Sequence, residues 1–153
     1  MKEFDYDLDY KSLDFTNKKT RKLYRIGRGE QGVLLVRPYT DDICAHWRFK
    51  TPEIAVKSSN KIFAMYLDYR DEEDFIGMDM CRKFLEMGFT RARRYANHND
   101  GKKYDDEGNI RPQEPDHATS KYAQSAGIFK KVRDCVAKND TYVKMRKQWR
   151  SSE

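Results

Sequence analysis

Hydrophobic and polar positions follow two different periods along the chain, and the change of period separates an N-terminal part from a helical part. Residues 4–10 alternate strictly between apolar and acidic side chains, which is the period of an extended segment. We therefore expect residues 1–17 to form an acidic extended arm. Residues 23–36 carry two short apolar runs on either side of a glycine cluster, and this pattern predicts a small β-hairpin.

Helical spacing begins after this predicted hairpin. Residues 51–53 supply an N-cap threonine, a first-turn proline and a first-turn acid, and apolar side chains then recur every three to four residues. A second helix is predicted from about Asp71 to Gly88, because glycine readily enters the left-handed conformation that ends a helix. A separate short helix is predicted over residues 90–98.

The second half of the chain contains one long polar stretch and two further helical patterns. Residues 99–119 include few apolar side chains, and we expect a long loop there. Apolar residues then recur at helical spacing, first at Tyr122, Phe129, Val132 and Val136, and then at Tyr142, Met145 and Trp149. A chain of 153 residues suits one domain. The expected fold is a single α+β domain over residues 1–153, mainly α, with four to five helices packed with the N-terminal β-hairpin.

Composition gives the chain a positive charge and argues against several protein classes. Lys and Arg number 31 against 25 Asp and Glu, and the net charge of +6 favours encounters with polyanions. The longest apolar run, Val33–Val36, is far shorter than the ~20 residues that cross a bilayer, and the chain opens on acidic residues, not on a secretion leader. Three widely spaced cysteines favour reduced thiols over a zinc site. We expect a soluble cytoplasmic protein with no cofactor, no metal and no membrane partner.

Gly27, Gly29 and Gly32 form a G-x-G-x-x-G run that allows two interpretations. A dinucleotide-binding fingerprint requires a strand before it and a helix after it, whereas a strand-like run follows here. The backbone N–H groups of these glycines could still cradle a phosphate. A tight turn that requires positive φ angles is the structural alternative.

Residues 91–98 carry the most specific candidate chemistry. Guanidinium groups bind phosphate through paired hydrogen bonds, an aromatic ring stacks on a base, and an amide bonds to a base edge. The candidate binding residues here are Arg91, Arg93, Arg94, Tyr95 and Asn97. Four more basic residues would widen the surface, namely Arg25, Arg28, Arg48 and Lys50. The alternative is a solvated helix face that pairs with nearby acids.

Three runs of the chain resemble one known family. They are YRIGRGEQGVL at residues 24–34, HWRFKTPE at residues 46–53 and MGFTRARRYANH at residues 87–98. Together with residues 4–6, the resemblance spans most of the chain, and it is weaker in residues 99–119 and in the last helix. The family is a domain of unknown function, DUF4385, of bacteria and large tailed phages. The resemblance brings no assigned activity, and it implies a phage accessory protein in the host cytoplasm that acts on nucleic-acid metabolism.

Three functional hypotheses follow. The first is a nucleic-acid or nucleotide phosphate-binding accessory protein, with DNA, RNA or a nucleotide as its partner. The second is a small enzyme that acts on a nucleotide or phosphorylated metabolite, with His98 as general acid or base and the glycine run as phosphate cradle. The third is a protein-interaction module or an inhibitor of a host protein, which would use the acidic arm or the C-terminal helix.

Overall fold

The computed structural model describes residues 2–153, and this part of the chain contains six α-helices. Their bounds are Lys18–Arg21 for α1, Tyr39–Cys44 for α2, Pro52–Asp71 for α3, Phe75–Asn97 for α4, Lys121–Lys138 for α5 and Asp140–Ser152 for α6. The three longest helices, α3, α4 and α5, all pack against one another and form the body of the fold. No helix among the described residues has both the length and the apolar character to span a bilayer. The prediction of a mainly helical chain is confirmed.

The predicted start of the helix at residues 51–53 is confirmed. Thr51 is the N-cap of α3, and its hydroxyl accepts a hydrogen bond from the Ile54 N–H at 3.2 Å, while Pro52 takes the first helical position. The buried positions of the helix are Ala55, Ser58, Ser59, Ile62 and Tyr66. Ile54, Lys57 and Lys61 are exposed to solvent on the same helix.

The predicted end of the next helix at Gly88 is wrong. The N-cap of α4 is Asp74, and the helix continues through Gly88 to Asn97. The separate helix predicted over residues 90–98 is therefore the last part of α4. Gly88 lies against the Phe129 ring of α5, and a Cβ atom at this position would be 2.6 Å from two of the ring carbons. The glycine allows close packing of two helices and does not end one.

The predicted N-terminal β-hairpin is wrong, and the α+β class with it. Residues 23–36 form an irregular segment, with turns and bends from residue 28 onward, and no β-strand occurs in residues 2–153. The pattern is misleading because its apolar side chains pack into the core individually, and the two apolar runs do not pair as the strands of a hairpin. Four of them are buried, namely Tyr24, Ile26, Val33 and Val36.

In this segment, cationic side chains of the helices supply hydrogen bonds to the backbone that a paired strand would otherwise supply. Three of them donate hydrogen bonds to its backbone carbonyl oxygens. The pairs are Lys83 with Gln31 at 2.7 Å, Arg82 with Gly29 at 2.9 Å and Arg150 with Gly27 at 2.8 Å. Buried carbonyl groups need such partners when they are not part of a helix or sheet. The glycine run is thus anchored to α4 and α6 through its carbonyl oxygens.

A buried charge cluster lies beneath the glycine run. Asp79 is fully buried and pairs with Arg82 at 2.8 Å and with Lys83 at 3.9 Å. Its carboxylate also accepts hydrogen bonds from the hydroxyls of Tyr24 and Tyr142. Burial raises the pKa of Asp79, but the two cations and the two hydroxyls outweigh burial and lower this pKa to about 2. Asp79 therefore stays charged in the folded protein, while burial lowers the pKa of its partner Lys83 to about 7.

Aromatic side chains attach the N-terminal segment to the core. Phe4, Tyr10 and Phe15 are buried, and their rings stack in that order with centroids 5.3 and 6.0 Å apart. Tyr6 lies between two of these anchors in sequence, yet 58% of its surface is exposed. The alternation of apolar and acidic residues is therefore only partly an alternation of buried and exposed positions.

Candidate functional site

A groove of about 1290 Å³ opens where the segment between α2 and α3 meets α3, α4 and α5. The lining consists of residues 44–50, of Ile54, Lys57, Ser58 and Lys61 on α3, of Tyr95 on α4 and of Tyr122 on α5. The four α3 residues have the spacing i, i+3, i+4 and i+7, which brings them onto one face of the helix. We refer to this opening as the aromatic groove.

Four aromatic side chains form a continuous wall of the aromatic groove. They are Trp47, Phe49, Tyr95 and Tyr122. The ring centroids are 5.2 Å apart for Trp47 and Phe49, 5.7 Å for Phe49 and Tyr95, and 5.3 Å for Tyr95 and Tyr122. These separations are typical of favourable aromatic pairs. The wall is a surface on which a planar ligand can stack.

The rim of the aromatic groove is positively charged. It carries four exposed cationic residues, namely Arg48, Lys50, Lys57 and Lys61, and the lining includes no Asp or Glu. Within residues 2–153, none of the three lysines forms an ion pair with a carboxylate. The groove therefore offers unpaired positive charge next to apolar rings, which suits an anionic ligand with flat apolar parts.

Hydrogen bonds hold the segment that carries Trp47 in place. The Ser58 hydroxyl on α3 donates to the His46 carbonyl oxygen at 2.7 Å and accepts from the Arg48 N–H at 3.0 Å. The Arg48 guanidinium donates to the carbonyl oxygens of Cys44 and Trp47 at 3.2 and 2.6 Å. Arg48 therefore has a structural role at the rim, and the three lysines are the cations whose charge is free for a ligand.

The binding residues predicted from the sequence lie at more than one place. Arg48, Lys50 and Tyr95 line the aromatic groove. Arg28 and Arg91 line a second cleft of about 360 Å³. Arg91 and Tyr95 are four residues apart on α4, so both openings are lined by neighbouring positions of this helix. Arg94, in the same turn, is exposed.

Three other predicted binding residues make internal contacts. The Arg93 guanidinium donates to the His117 carbonyl oxygen at 2.8 Å. The backbone carbonyl oxygen of Asn97 accepts a hydrogen bond from the Glu114 backbone N–H at 2.7 Å. Both bonds attach the segment between α4 and α5 to the end of α4. Arg25 contributes its carbonyl oxygen to the group of acceptors around Lys83.

The three glycines of the G-x-G-x-x-G run all have positive φ angles, of 68°, 53° and 76° for Gly27, Gly29 and Gly32. Three N–H groups of the run are occupied within the chain. The Arg28 N–H donates to the Gln31 side-chain oxygen at 2.9 Å, the Gln31 N–H donates to the Arg28 carbonyl oxygen at 3.0 Å, and the Gly32 N–H donates to the Tyr6 hydroxyl at 3.1 Å. In this conformation the geometry is that of a tight turn, and those three N–H groups do not face a ligand.

His98, the candidate general acid or base, lies apart from both openings. It is only 4% exposed, and its backbone N–H donates to the Arg94 carbonyl oxygen at the C-terminal end of α4. The lining of the aromatic groove does not include His98, and neither does that of the second cleft. The structure therefore does not bring His98 and the glycine run together in one cavity.

Metal-binding side chains are dispersed in the described part of the chain. Residues 2–153 contain no group of three or more His, Cys, Asp or Glu side chains that could hold a metal ion. The three cysteines in that range are free, and one of them, Cys44, borders the aromatic groove.

Five residues of the aromatic wall and the cationic rim are absent from the binding residues predicted from the sequence, namely Trp47, Phe49, Lys57, Lys61 and Tyr122. A signal for the two lysines does exist, because Lys57 and Lys61 are four residues apart in a segment with a clear helical pattern. No comparable signal exists for Tyr122, which the packing of α5 against α3 and α4 brings to the groove. Its spacing alone indicates a core residue.

Comparisons with known proteins assign the family and nothing more specific. Neither the curated proteins nor the solved structures contain a match to this chain. One family model, described as "Domain of unknown function (DUF4385)", matches residues 5–152. This match includes all six helices, the aromatic groove and the second cleft. The resemblance seen in the three sequence runs is thereby confirmed, and the chain belongs to the DUF4385 family.

Proposed function

We propose that the aromatic groove binds single-stranded nucleic acid. The observation that carries this proposal is the combination of four aromatic rings and three unpaired lysines in one open groove. Proteins that bind single strands without strong sequence preference stack the bases on aromatic side chains and follow the backbone with a positively charged groove. Both parts are present here, and they lie side by side.

The size of the aromatic groove favours a strand over a small ligand. Its volume of about 1290 Å³ exceeds the ~300–1,000 Å³ of typical small-molecule sites. A duplex keeps the faces of its bases stacked inside, so an aromatic wall makes contact with bases only when they are unpaired. We therefore expect single-stranded DNA or RNA to bind more tightly than a duplex of the same length.

The lysines would contact the phosphates. Lys57 and Lys61 occupy successive turns of α3, about 6 Å apart along the axis, and Lys50 directly precedes the N-cap residue Thr51. Each phosphate contact releases counterions and makes the affinity depend on salt, with a slope of about 0.7 per contact for single strands. Stacking contributes ~1–3 kcal/mol per base in alanine substitutions. Binding should therefore be sensitive to salt and to the loss of rings.

A triple substitution of Lys50, Lys57 and Lys61 by alanine tests the proposal. Fluorescence anisotropy with a labelled oligodeoxythymidylate, repeated over a range of salt concentrations, gives both the affinity and the salt slope. Removing three phosphate contacts should lower the slope by about 2 and weaken binding at low salt. The fold should persist, since all three lysines are exposed.

The matched control removes the same charge elsewhere. Lys18, Lys19 and Lys22 are exposed and do not line the aromatic groove. Their triple alanine variant has the same net charge as the groove variant, and we expect only a small loss of affinity from it. Equal losses in the two variants would show that binding follows net charge alone, and the groove would then have no specific role. Absence of binding by the wild-type protein at low salt would refute the proposal.

The biological setting stays a prediction. A role as an accessory protein in host or viral nucleic-acid metabolism agrees with binding of a single strand, and this role awaits a test of its own. The alternative of an enzyme with His98 as acid or base draws no support from the groove, whose lining does not include that residue.

A further inference from the structure

We infer that the strand continues from the aromatic groove into the second cleft, where Tyr6, Arg28 and Arg91 form a further subsite, so that the ligand is a polynucleotide and not a mononucleotide. This inference rests on the proposed function. It is carried by the chemistry of the second cleft and by its position next to the groove on α4.

The second cleft contains an exposed aromatic ring that is held in place. Tyr6 is 58% exposed, yet its hydroxyl accepts the Gly32 N–H at 3.1 Å, and its ring meets the buried Phe4 ring at a centroid distance of 5.1 Å. A large ring that is exposed but fixed at both ends loses little conformational freedom when a ligand binds. Such a ring is suited to stack on a base.

Two arginines accompany this ring. Arg91 is exposed on α4, and no carboxylate within residues 2–153 forms an ion pair with it. Arg28 pairs only with Glu3 at 3.4 Å, and both side chains are more than half exposed. Because such surface pairs are weak, a phosphate can compete for Arg28. The chemistry of the groove, an aromatic ring beside cations, is therefore repeated in the second cleft.

The second cleft contains one carboxylate, that of Glu30. Its side-chain oxygen accepts a hydrogen bond from the Thr90 hydroxyl of α4 at 2.8 Å, so the carboxylate is directed at the helix. Glu30 lies near the positive charges of Arg91 and Arg94 and near the negative charge of Glu86. Among the residues that line the cleft, the two arginines outnumber this one carboxylate.

The helix α4 connects the two openings. Tyr95 belongs to the aromatic groove and Arg91 to the second cleft, and four helical residues separate them by about 6 Å along the axis. A strand that stacks on Tyr95 therefore has the Arg91 cation one helical turn away, in the cleft that the Tyr6 ring also lines. A mononucleotide in either opening would leave the other empty.

The length dependence of binding tests this inference. Labelled oligodeoxythymidylates of about 3 nucleotides, just below the range of known single-strand site sizes, and of about 12 nucleotides, within that range, are titrated against four proteins. These are the wild type, Arg91→Ala, Tyr6→Ala and the control Lys131→Ala. Lys131 is an exposed lysine of α5 that lines neither opening. We expect Arg91→Ala and Tyr6→Ala each to weaken binding of the longer oligonucleotide about tenfold and to leave that of the shorter one unchanged.

The outcomes separate this inference from the proposed function. If the wild type binds both lengths equally, or if Arg91→Ala behaves like Lys131→Ala, the second subsite is refuted while the groove proposal stands. If the wild type binds neither length, the proposed function fails as well. Tyr6→Ala removes part of the N-terminal packing, so its circular dichroism spectrum and melting temperature are compared with those of the wild type. If Tyr6→Ala unfolds, the Arg91→Ala variant, whose substituted side chain is exposed, decides the result.

Discussion

Replacing Gly88 by alanine tests why α4 continues past this residue. In an ordinary exposed helix, glycine is less favourable than alanine by about 1 kcal/mol, so the substitution should stabilise the protein. Gly88, however, is buried where α4 packs against α5, with the Phe129 ring against it. The added methyl group would lie 2.6 Å from two carbons of that ring, against an ordinary carbon–carbon contact of about 3.5–4.0 Å.

The overlap determines the size of the expected effect. The Phe129 ring is completely buried and would have to move by about 1 Å, and α4 would have to move with respect to α5 if the ring does not. Overpacking of a core typically costs about 1–3 kcal/mol, and an overlap of this size on a rigid ring belongs at the upper end. After subtraction of the gain in helix propensity, Gly88→Ala should lower the free energy of unfolding by about 2 kcal/mol.

Urea denaturation followed by circular dichroism measures this effect, and the chain contains its own control. Gly127 is exposed on α5, and a Cβ atom there would meet no other atom within 4 Å. Gly127→Ala should therefore raise the free energy of unfolding by up to about 1 kcal/mol. A double variant with Phe129→Leu should recover part of the loss caused by Gly88→Ala, since the smaller side chain makes room for the methyl group.

The same experiment can refute the packing argument. If Gly88→Ala stabilises the protein as much as Gly127→Ala does, the methyl group meets no obstacle and the close approach of α4 and α5 is not as described. If Phe129→Leu leaves the cost of Gly88→Ala unchanged, the cost arises somewhere other than the contact with the ring.

Two further predictions concern the stability of the fold. Asp79 has a pKa of about 2 in the folded state, below its usual 3.8, so its contribution of about 2 kcal/mol should be present above pH ~4 and be lost as the pH falls from about 4 to about 2. Urea denaturation at pH 3 and pH 6 should show this loss of stability in the wild type and not in Asp79→Asn. That variant should itself be less stable than the wild type by ~3–5 kcal/mol at pH 6, because two buried cations lose their partner. An unchanged acid dependence in Asp79→Asn would contradict the assignment of the loss to the Asp79 carboxylate. Thr51→Ala should cost about 1 kcal/mol by removing the N-cap of α3, while Thr51→Ser, which keeps the hydroxyl, should cost little, and similar melting temperatures for the two variants would contradict this reading.

The helices could be predicted from the sequence where local signals decide them. Thr51 and Pro52 identify the start of α3, because the cap and the proline act within one turn of the chain. Gly88 could not be interpreted from its neighbours, since glycine both ends helices and allows close packing. Only the position of the Phe129 ring, on a helix remote in sequence, decides between the two.

The error at residues 23–36 has a similar origin. Short apolar runs around glycines are typical of a hairpin, and nothing in the local sequence shows that the partners of the backbone will be side chains. Lys83 and Arg150, which bind the Gln31 and Gly27 carbonyl oxygens, are more than 50 residues away. A basic residue in a later helix is ordinarily interpreted as a surface charge, so this alternative to a strand ladder was not predictable.

The candidate site was predictable in its chemistry and only in part in its location. Basic and aromatic residues in α4 indicate an anionic, base-bearing ligand, and Tyr95 does line the aromatic groove. The neighbouring Arg93 instead bonds to the His117 carbonyl oxygen. The groove itself requires Phe49 and Tyr122, which three-dimensional packing brings next to Tyr95. Sequence spacing does not contain that information.

The most direct test of the proposed function is the fluorescence of Trp47 during a titration with single-stranded DNA. The chain has two tryptophans, and Trp149→Phe leaves Trp47, in the wall of the aromatic groove, as the only one. Stacking of bases in the groove should quench its emission, saturate at the same concentration as the anisotropy signal and weaken as salt is added. Binding seen by anisotropy without any change in Trp47 emission would contradict the account, because the strand would then lie somewhere other than in the groove.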